Sequence, residues 1–300
     1  MSSVNSSFSS DELVQRVPRG LKQVLDAILY SNLVVAAAAA SLSWSTFLFW
    51  RQPLPPRLGL FIFSATLFLY NLDSALPYKY TRPALLSGRK HWMLVHRKAL
   101  LGLAAASLAL AGWALWAEAN LPLLVFLGHL AAVAVFYSLP VVRWQNKWRS
   151  LREVPLLKGF LIAYVWAAVS VWLPALHLGK PLASPVVALL FGRRFFFILA
   201  LTFVFDIRDY TKDRLSGTHT FPGLLGVATA KLLALLALLV SGLLVPAAIA
   251  GPHLVWYTLP LGLAALLVVF AREGRSDYYF ALLADGVMLT PFLAAYGTLM

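Results

Sequence analysis

The sequence predicts an all-α polytopic membrane protein, one bundle of about nine transmembrane helices. Three observations carry this expectation. Hydrophobic residues make up 60% of the 300 and charged residues only 12%, with a mean hydropathy of +0.77. Soluble domains do not reach that balance. Apolar runs long enough to cross roughly 30 Å of hydrocarbon recur along the whole chain. Lysine and arginine, finally, concentrate in alternate connections between those runs, as helices crossing back and forth require.

The elements follow in order. Residues 1–24 form a polar, Ser-rich lead with Asp11, Glu12, Arg16 and Arg19, which does not have the pattern of a signal peptide. Nine spans follow at about 25–49, 58–76, 99–117, 121–141, 155–176, 184–206, 224–250, 252–271 and 278–299. His96-Arg97-Lys98 anchors the start of span 3 at the interface, and Pro155 suits the first position of span 5. Arg193 and Arg194 lie within span 6, unless that span begins near residue 193 and 184–192 runs along the outer surface. No room is left for a second domain, so residues 1–300 read as one transmembrane unit with the bundle over 25–300.

Most of the 25 Lys and Arg sit in the lead or at the connections after spans 2, 4, 6 and 8. The connections after spans 1, 3, 5 and 7 carry only Arg51, Arg57 and Lys180. The positive-inside rule then puts the N-terminus in the cytoplasm and the C-terminus outside, in the inner membrane if the protein is bacterial. The formal charge of +13 is mostly this asymmetry, and anionic lipid headgroups are sufficient partners for it. Basic residues scattered through short loops exclude a nucleic-acid module, and no protein partner is implied. Cysteine is absent, which removes disulfides, thiolate nucleophiles and Cys-ligated metals.

The chemistry concentrates where span 6 ends. After the uncharged run Phe195 to Phe205 come Asp206, Asp209 and Asp213, the latter two separated by Tyr210, Thr211 and Lys212. On a continuous helix these three carboxylates fall within an arc of about 60°. Like charges so close repel one another unless a cation lies among them. Mg²⁺ takes hard oxygen ligands and commonly shares its shell with substrate phosphates. The simpler alternative is a solvated helix end, with Arg208, Lys212 and Arg214 neutralising the acids locally.

Asp206, Asp209 and Asp213, followed by Gly217, Thr220, Pro222 and Gly226, match position by position the second aspartate motif of the UbiA family of intramembrane prenyltransferases. The chain resembles that family from span 2 to span 7. Tyr137-Ser-Leu-Pro140-Val-Val-Arg143 is similar to the family's Tyr/Pro segment, and Arg82-Pro83 with Ser87-Gly88 is similar to the run after its first aspartate motif. The resemblance implies transfer of an isoprenyl group from a Mg²⁺-bound polyprenyl diphosphate to an aromatic or similarly lipophilic acceptor. It implies Asp206, Asp209 and Asp213, with Asp73, as metal ligands assisted by Asn71. Lys79, Arg82, Tyr137, Arg143, Arg208 and Lys212 are the residues it points to for the substrate. Quinone, haem, tetrapyrrole and sterol-like acceptors are all compatible with it.

The first aspartate motif departs from the family pattern. With Asn71 aligned on the family's Asn, Leu72, Ala75 and Lys79 stand at its acidic positions, and only Asp73 is acidic. A step of two turns a helix by about 200°, so Asn71 and Asp73 face nearly opposite ways unless Pro77 unwinds this end. Lys79, Arg82 or Arg143 then supplies the charge that a second metal gives elsewhere. The alternative from a different class is a non-catalytic membrane protein of this fold that binds a lipid or a prenyl diphosphate. A transporter fits less well, because its acids belong near mid-membrane.

Asp285, an intramembrane acid about 12 Å along span 9 from Asp277, is a functional candidate by default. A buried pair with Arg194 or Arg193 that locks spans 6 and 9 is the structural reading, and a place in the cavity wall is the functional one. Arg149, Arg152, Glu153 and Lys158 lie after span 4; Glu153 is placed to cap or pair, and the basic residues to contact phosphates or lipid headgroups, headgroups being the expected role for most. His91, His96 and His219 lack the convergent spacing of a metal site.

Overall fold

The computed structural model describes residues 18–76, 86–138, 142–144, 147–151, 154, 156–246 and 253–298. Within the described residues, each apolar segment expected from the sequence contains helix. The chain opens with α1 (Arg19–Tyr30) and α2 (Leu33–Phe49), and continues with α3 (Pro56–Ser74), α4 (Gly88–Val95), α5 (Arg97–Glu118) and α6 (Leu121–Ser138). Next come α7 (Leu157–His177), α8 (Pro185–Arg208), α9 (Tyr210–Ser216) and α10 (Phe221–Leu225). The last are α11 (Val227–Leu243), α12 (His253–Phe270) and α13 (Tyr279–Gly297). Residues 168–172 of α7 and 279–284 of α13 widen into π turns.

Five of these helices, α5, α7, α8, α12 and α13, are long and apolar enough to cross a membrane, and α1 with α2 makes a sixth if counted as one bent span. Helix α6 and α11 are shorter apolar helices. Together they make this an integral membrane protein. Its outer face agrees, with Trp113, Trp116, Val125, Leu243 and Leu266 among many large apolar side chains left exposed, far more than water tolerates.

Helix α1 begins at Arg19, inside the expected polar lead. Span 1 is broken: α1 and α2 meet at a 52° bend where Asn32 takes a left-handed conformation (φ 65°), one that Asn tolerates better than most residues. The fold class is all-α as expected, with a short antiparallel hairpin after α6 in which Val142–Trp144 (β1) pairs with Lys147–Arg149 (β2), Arg143 opposite Trp148.

Helix α8 lies at the centre, packed on α7 and α11 with α12 behind. It starts at a Ser184 cap that accepts from the Val187 N–H, with Pro185 in the first turn. Small residues bring neighbours close to it, including Ala163 on α7, Ala230 and Ala234 on α11 and Ala264 on α12, all fully buried. On the other side α3 packs on α5 and on α2. Gly59 of α3 allows that approach, since a Cβ there would lie 2.5 Å from the Trp44 ring.

Candidate active site

Helix α8 ends at Arg208, and Asp209 caps it with non-helical dihedrals (φ −92°, ψ 13°) before α9 begins. The chain turns at Asp209, and the three aspartates take different partners while their charges still act on one another. Asp206 and Asp213 turn toward Lys158 in the first turn of α7, whose Nζ lies 3.0 Å from Asp206 Oδ1 and 3.8 Å from Asp213 Oδ2. Asp209 instead accepts from the neighbouring Arg208, 2.9 Å from NH2 and 3.4 Å from Nε. Both Asp206 and Asp213 are buried, at 4% and 5% exposure.

The glycines and proline after the aspartates explain this local fold. Gly217 takes φ 71° to end α9, and Gly226 takes φ 85° between α10 and α11, both in the region that favours glycine. Pro222 sits in the first turn of α10, after a buried Thr220. The loop between them carries the His219 carbonyl, which accepts from the Leu156 N–H at 3.1 Å. That bond ties the start of α7 to the aspartate segment and brings Lys158 to the acids.

A cavity of about 650 Å³ opens beside these residues. Its inner wall is apolar and aromatic, with Val35, Tyr70, Ile162, Trp166, Ile198, Leu201, Phe205 and Met288. Its mouth is charged. Arg89, Lys90, Lys158, Arg208, Lys212 and Arg275 line it together with Asp73, Asp206, Asp209, Asp277 and Asp285. Burial raises the Asp209 carboxyl, but the Arg208 guanidinium, with Lys212 and Lys90, overrides it and holds the group well below the usual carboxylate range. Burial pushes the Asp213 carboxyl up, against the pull of Lys158. Burial also lowers the Lys90 ammonium, and the adjacent Lys212 adds to this, to about 7.

The structure sorts the sequence candidates. Asp206, Asp209, Asp73, Arg208, Lys212 and Asp285 line the cavity, and Asp213 joins them through Lys158. Asn71 does not: it is fully buried, accepts from Asn32 Nδ2 at 3.0 Å and donates to the Leu67 carbonyl. Asp73, two residues on in the same helix, faces the opposite way and reaches the mouth, as a regular helix dictates. Tyr137 lies near Tyr70 at the end of α6, and Arg143 is exposed in β1. Neither is among the described residues that line the cavity. Lys79 and Arg82 lie outside the described residues.

The expected pairing of Asp285 with Arg194 or Arg193 is corrected. Arg194 donates to Ser45 Oγ at 2.6 Å and to the Leu42 carbonyl, and Arg193 to the Ser241 and Tyr257 carbonyls, all toward the other end of α8. Asp285 faces Arg89 at 3.7 Å instead. Lys158, grouped in the sequence with residues expected to contact phosphates or headgroups, pairs with the aspartates.

Arg89 and Lys90 were absent from the sequence candidates. Ser87 caps α4 and accepts from the Lys90 N–H, which sets both cations in the first turn of a short helix over the cavity. Arg89 is pinned from three sides: its backbone N–H donates to Asp277 Oδ2 at 2.7 Å, its NH2 donates to Asn32 Oδ1 at 3.0 Å, and its NH1 faces Asp285. Their position directly after the Ser87-Gly88 pair was the available signal.

Mg²⁺, which the resemblance implies, can be tested against this donor set. Among the described residues no three acidic or histidine side chains gather to hold a metal by themselves. Two do converge, and the Lys158 ammonium marks the point where a cation is held between Asp206 and Asp213. Two carboxylates with remaining positions filled by substrate oxygens is an ordinary Mg²⁺ arrangement, so the pair fits one ion.

Fold and cavity define a helical membrane protein with an apolar chamber under a mixed-charge mouth. No protein-family model and no curated protein sequence matches the chain. A solved structure of a digeranylgeranylglyceryl phosphate synthase from membranes is similar over 93% of this chain and 100% of that one, with a TM-score of 0.51 and 16% identity. The helical membrane fold expected from the UbiA resemblance is thus the fold observed.

Proposed function

We propose that the protein is a UbiA-like prenyltransferase, moving an isoprenyl group from a polyprenyl diphosphate to a lipophilic acceptor. The observation that supports this reading is the joining of the Asp206–Asp213 pair to an apolar chamber ringed by Arg89, Lys90, Arg208 and Lys212. A diphosphate with a long hydrocarbon tail has these two halves. The similar synthase is named for a product carrying two geranylgeranyl groups, which agrees with a prenyl donor. The active mouth then faces the cytoplasm, with nine crossings and a single unit over 1–300.

In this reading the cations at the mouth hold the diphosphate oxygens, Arg89 and Arg208 as planar forks and Lys90 and Lys212 as point charges. Mg²⁺ at Asp206 and Asp213 would supply further positive charge for the leaving diphosphate. The C1–O bond of the donor breaks with its electron pair leaving on the diphosphate. Tyr70, Trp166 and Phe205 present aromatic surface to the allylic cation, and the chamber keeps water from it. The acceptor forms the new bond to C1 and gives its proton to the departing diphosphate.

The test is release of pyrophosphate from farnesyl and geranylgeranyl diphosphate by purified protein, with and without Mg²⁺. Mg²⁺-dependent release that an Asp206→Ala/Asp213→Ala variant loses is the expected result. Binding without release by any donor and acceptor mixture would instead favour a non-catalytic lipid-diphosphate binder.

The cationic mouth also sets a pH dependence. Lys90 loses its charge progressively as pH rises through about 7, so its share of anion binding is lost across that range. Pyrophosphate should bind the wild type more weakly at a pH of about 8 than at about 6, by titration calorimetry. Lys90→Met should lose most of that difference, which separates it from ionisation of the ligand. Folding responds with the opposite sign. A lysine whose folded value lies below its ordinary 10.5 makes the anion-free protein more stable as pH rises between the two.

A further inference from the structure

Lys158 touches both members of the aspartate pair, and its position is unusual. It lies in the first turn of α7, where the helix dipole disfavours a positive side chain. The two carboxylates hold it there, at 3.0 and 3.8 Å, and its side chain still keeps 27% exposure on the cavity wall.

We propose that Lys158 guards the Asp206–Asp213 pair against bare divalent metal and yields the pair only when a diphosphate enters the cavity. This rests on the diphosphate reading above. Within this trio the two carboxylates and one ammonium leave a single negative charge, with Asp209, Arg208 and Lys212 acting on it from nearby. A divalent ion arriving alone meets the ammonium already between its ligands, and the two repel over a short distance. The lysine then has to give up both acids for open water. A diphosphate in the chamber changes this, because Lys158 lines the same wall. Its flexible stem can carry the ammonium onto phosphate oxygens, and the metal takes the vacated place with those oxygens completing its shell. Metal and donor therefore load together.

Titration of Mn²⁺ chloride into detergent-solubilised protein, followed by the EPR signal of the free ion, tests this directly. Lys158→Met should bind bare Mn²⁺ about tenfold or more tightly than the wild type, a change typical of groups that act on metal ligands. Lys158→Arg keeps the charge and should match the wild type. Asp206→Asn in the Lys158→Met background should remove the gained site. Inorganic pyrophosphate at saturation should bring the wild type up to the affinity of Lys158→Met. Mn²⁺ should also raise the melting temperature of Lys158→Met and leave the wild type unchanged, which shows that the variant is folded. Equal affinity of wild type and Lys158→Met for bare Mn²⁺ would overturn the guard. A gap that persists under pyrophosphate would overturn the hand-over. A gain in Lys158→Met beside a wild type that binds no pyrophosphate would support the guard and sink the prenyl diphosphate reading, so the two fail separately.

Discussion

Replacement of Arg89 by methionine should cost about 3 kcal/mol of stability, the low end of what removing one partner of a buried ion pair costs. Asp285 is 4% exposed, and among the described residues its Oδ2 has no hydrogen-bond partner and faces Arg89 at 3.7 Å. Arg208 lies close enough to interact with Asp285, which is why the low end applies. The same substitution removes the bond from NH2 to Asn32 Oδ1, the group that fixes the bend between α1 and α2. Asn32 in turn donates to Asn71, so the guanidinium ties α4 to the α1–α2 bend and to α13, and through Asn32 to α3. The measurement is thermal unfolding of the solubilised protein. The double variant Arg89→Met/Asp285→Leu should recover much of the loss, because an apolar pair of similar volume replaces a buried ion pair at little cost. No recovery would mean that the Asn32 bond, not Asp285, carries the effect.

The helices were legible because each apolar run is long and bounded by charge, Pro or Gly, and lipid-facing helices need little more than that. The aspartate segment was legible as a motif, but the partners of its acids were not. Asp206 and Asp209 are three residues apart at the end of one helix, yet one pairs with Lys158 of α7 and the other with the adjacent Arg208. Nothing local in the spacing marks that division. Lys158 reads as an interfacial lysine until the Leu156–His219 bond brings its turn against α8 and α9. Asn71 keeps the family residue type but is used by Asn32, itself placed by a left-handed turn inside an apolar run. Arg89 was obscured by the assumption that Arg194, the arginine at membrane depth, must serve Asp285. The carbonyls of Leu42, Ser241 and Tyr257 take up that arginine pair. Sequence periodicity reports which face is apolar. It does not report which buried polar groups meet.

Asp206→Asn and Asp209→Asn should differ sharply, although one motif contains both. Asp206 lies in the last turn of α8, buried and joined with Asp213 through one ammonium, so its charge acts on whatever cation that pair holds. Its neutral isostere keeps the shape and removes half of the pair's charge. Pyrophosphate release should fall about 100-fold or more, the scale of losing one preorganised electrostatic contact to the reacting group. Asp209 is already bound by Arg208 at 2.9 Å, and its carboxyl is held well below the usual range, so it is ionised throughout the physiological interval. Asp209→Asn weakens the hold on Arg208, whose guanidinium already lines the mouth and remains free to meet a diphosphate oxygen. The expected loss there is about tenfold or less, the scale for a residue that acts through another. Steady-state release of pyrophosphate at saturating donor and Mg²⁺ reads the ratio. Equal losses would mean that all three aspartates converge once the donor is bound, with the turn at Asp209 closing around it. A larger loss for Asp209 than for Asp206 would move the metal away from Lys158 and end the assignment of Asp206 and Asp213 as its ligands.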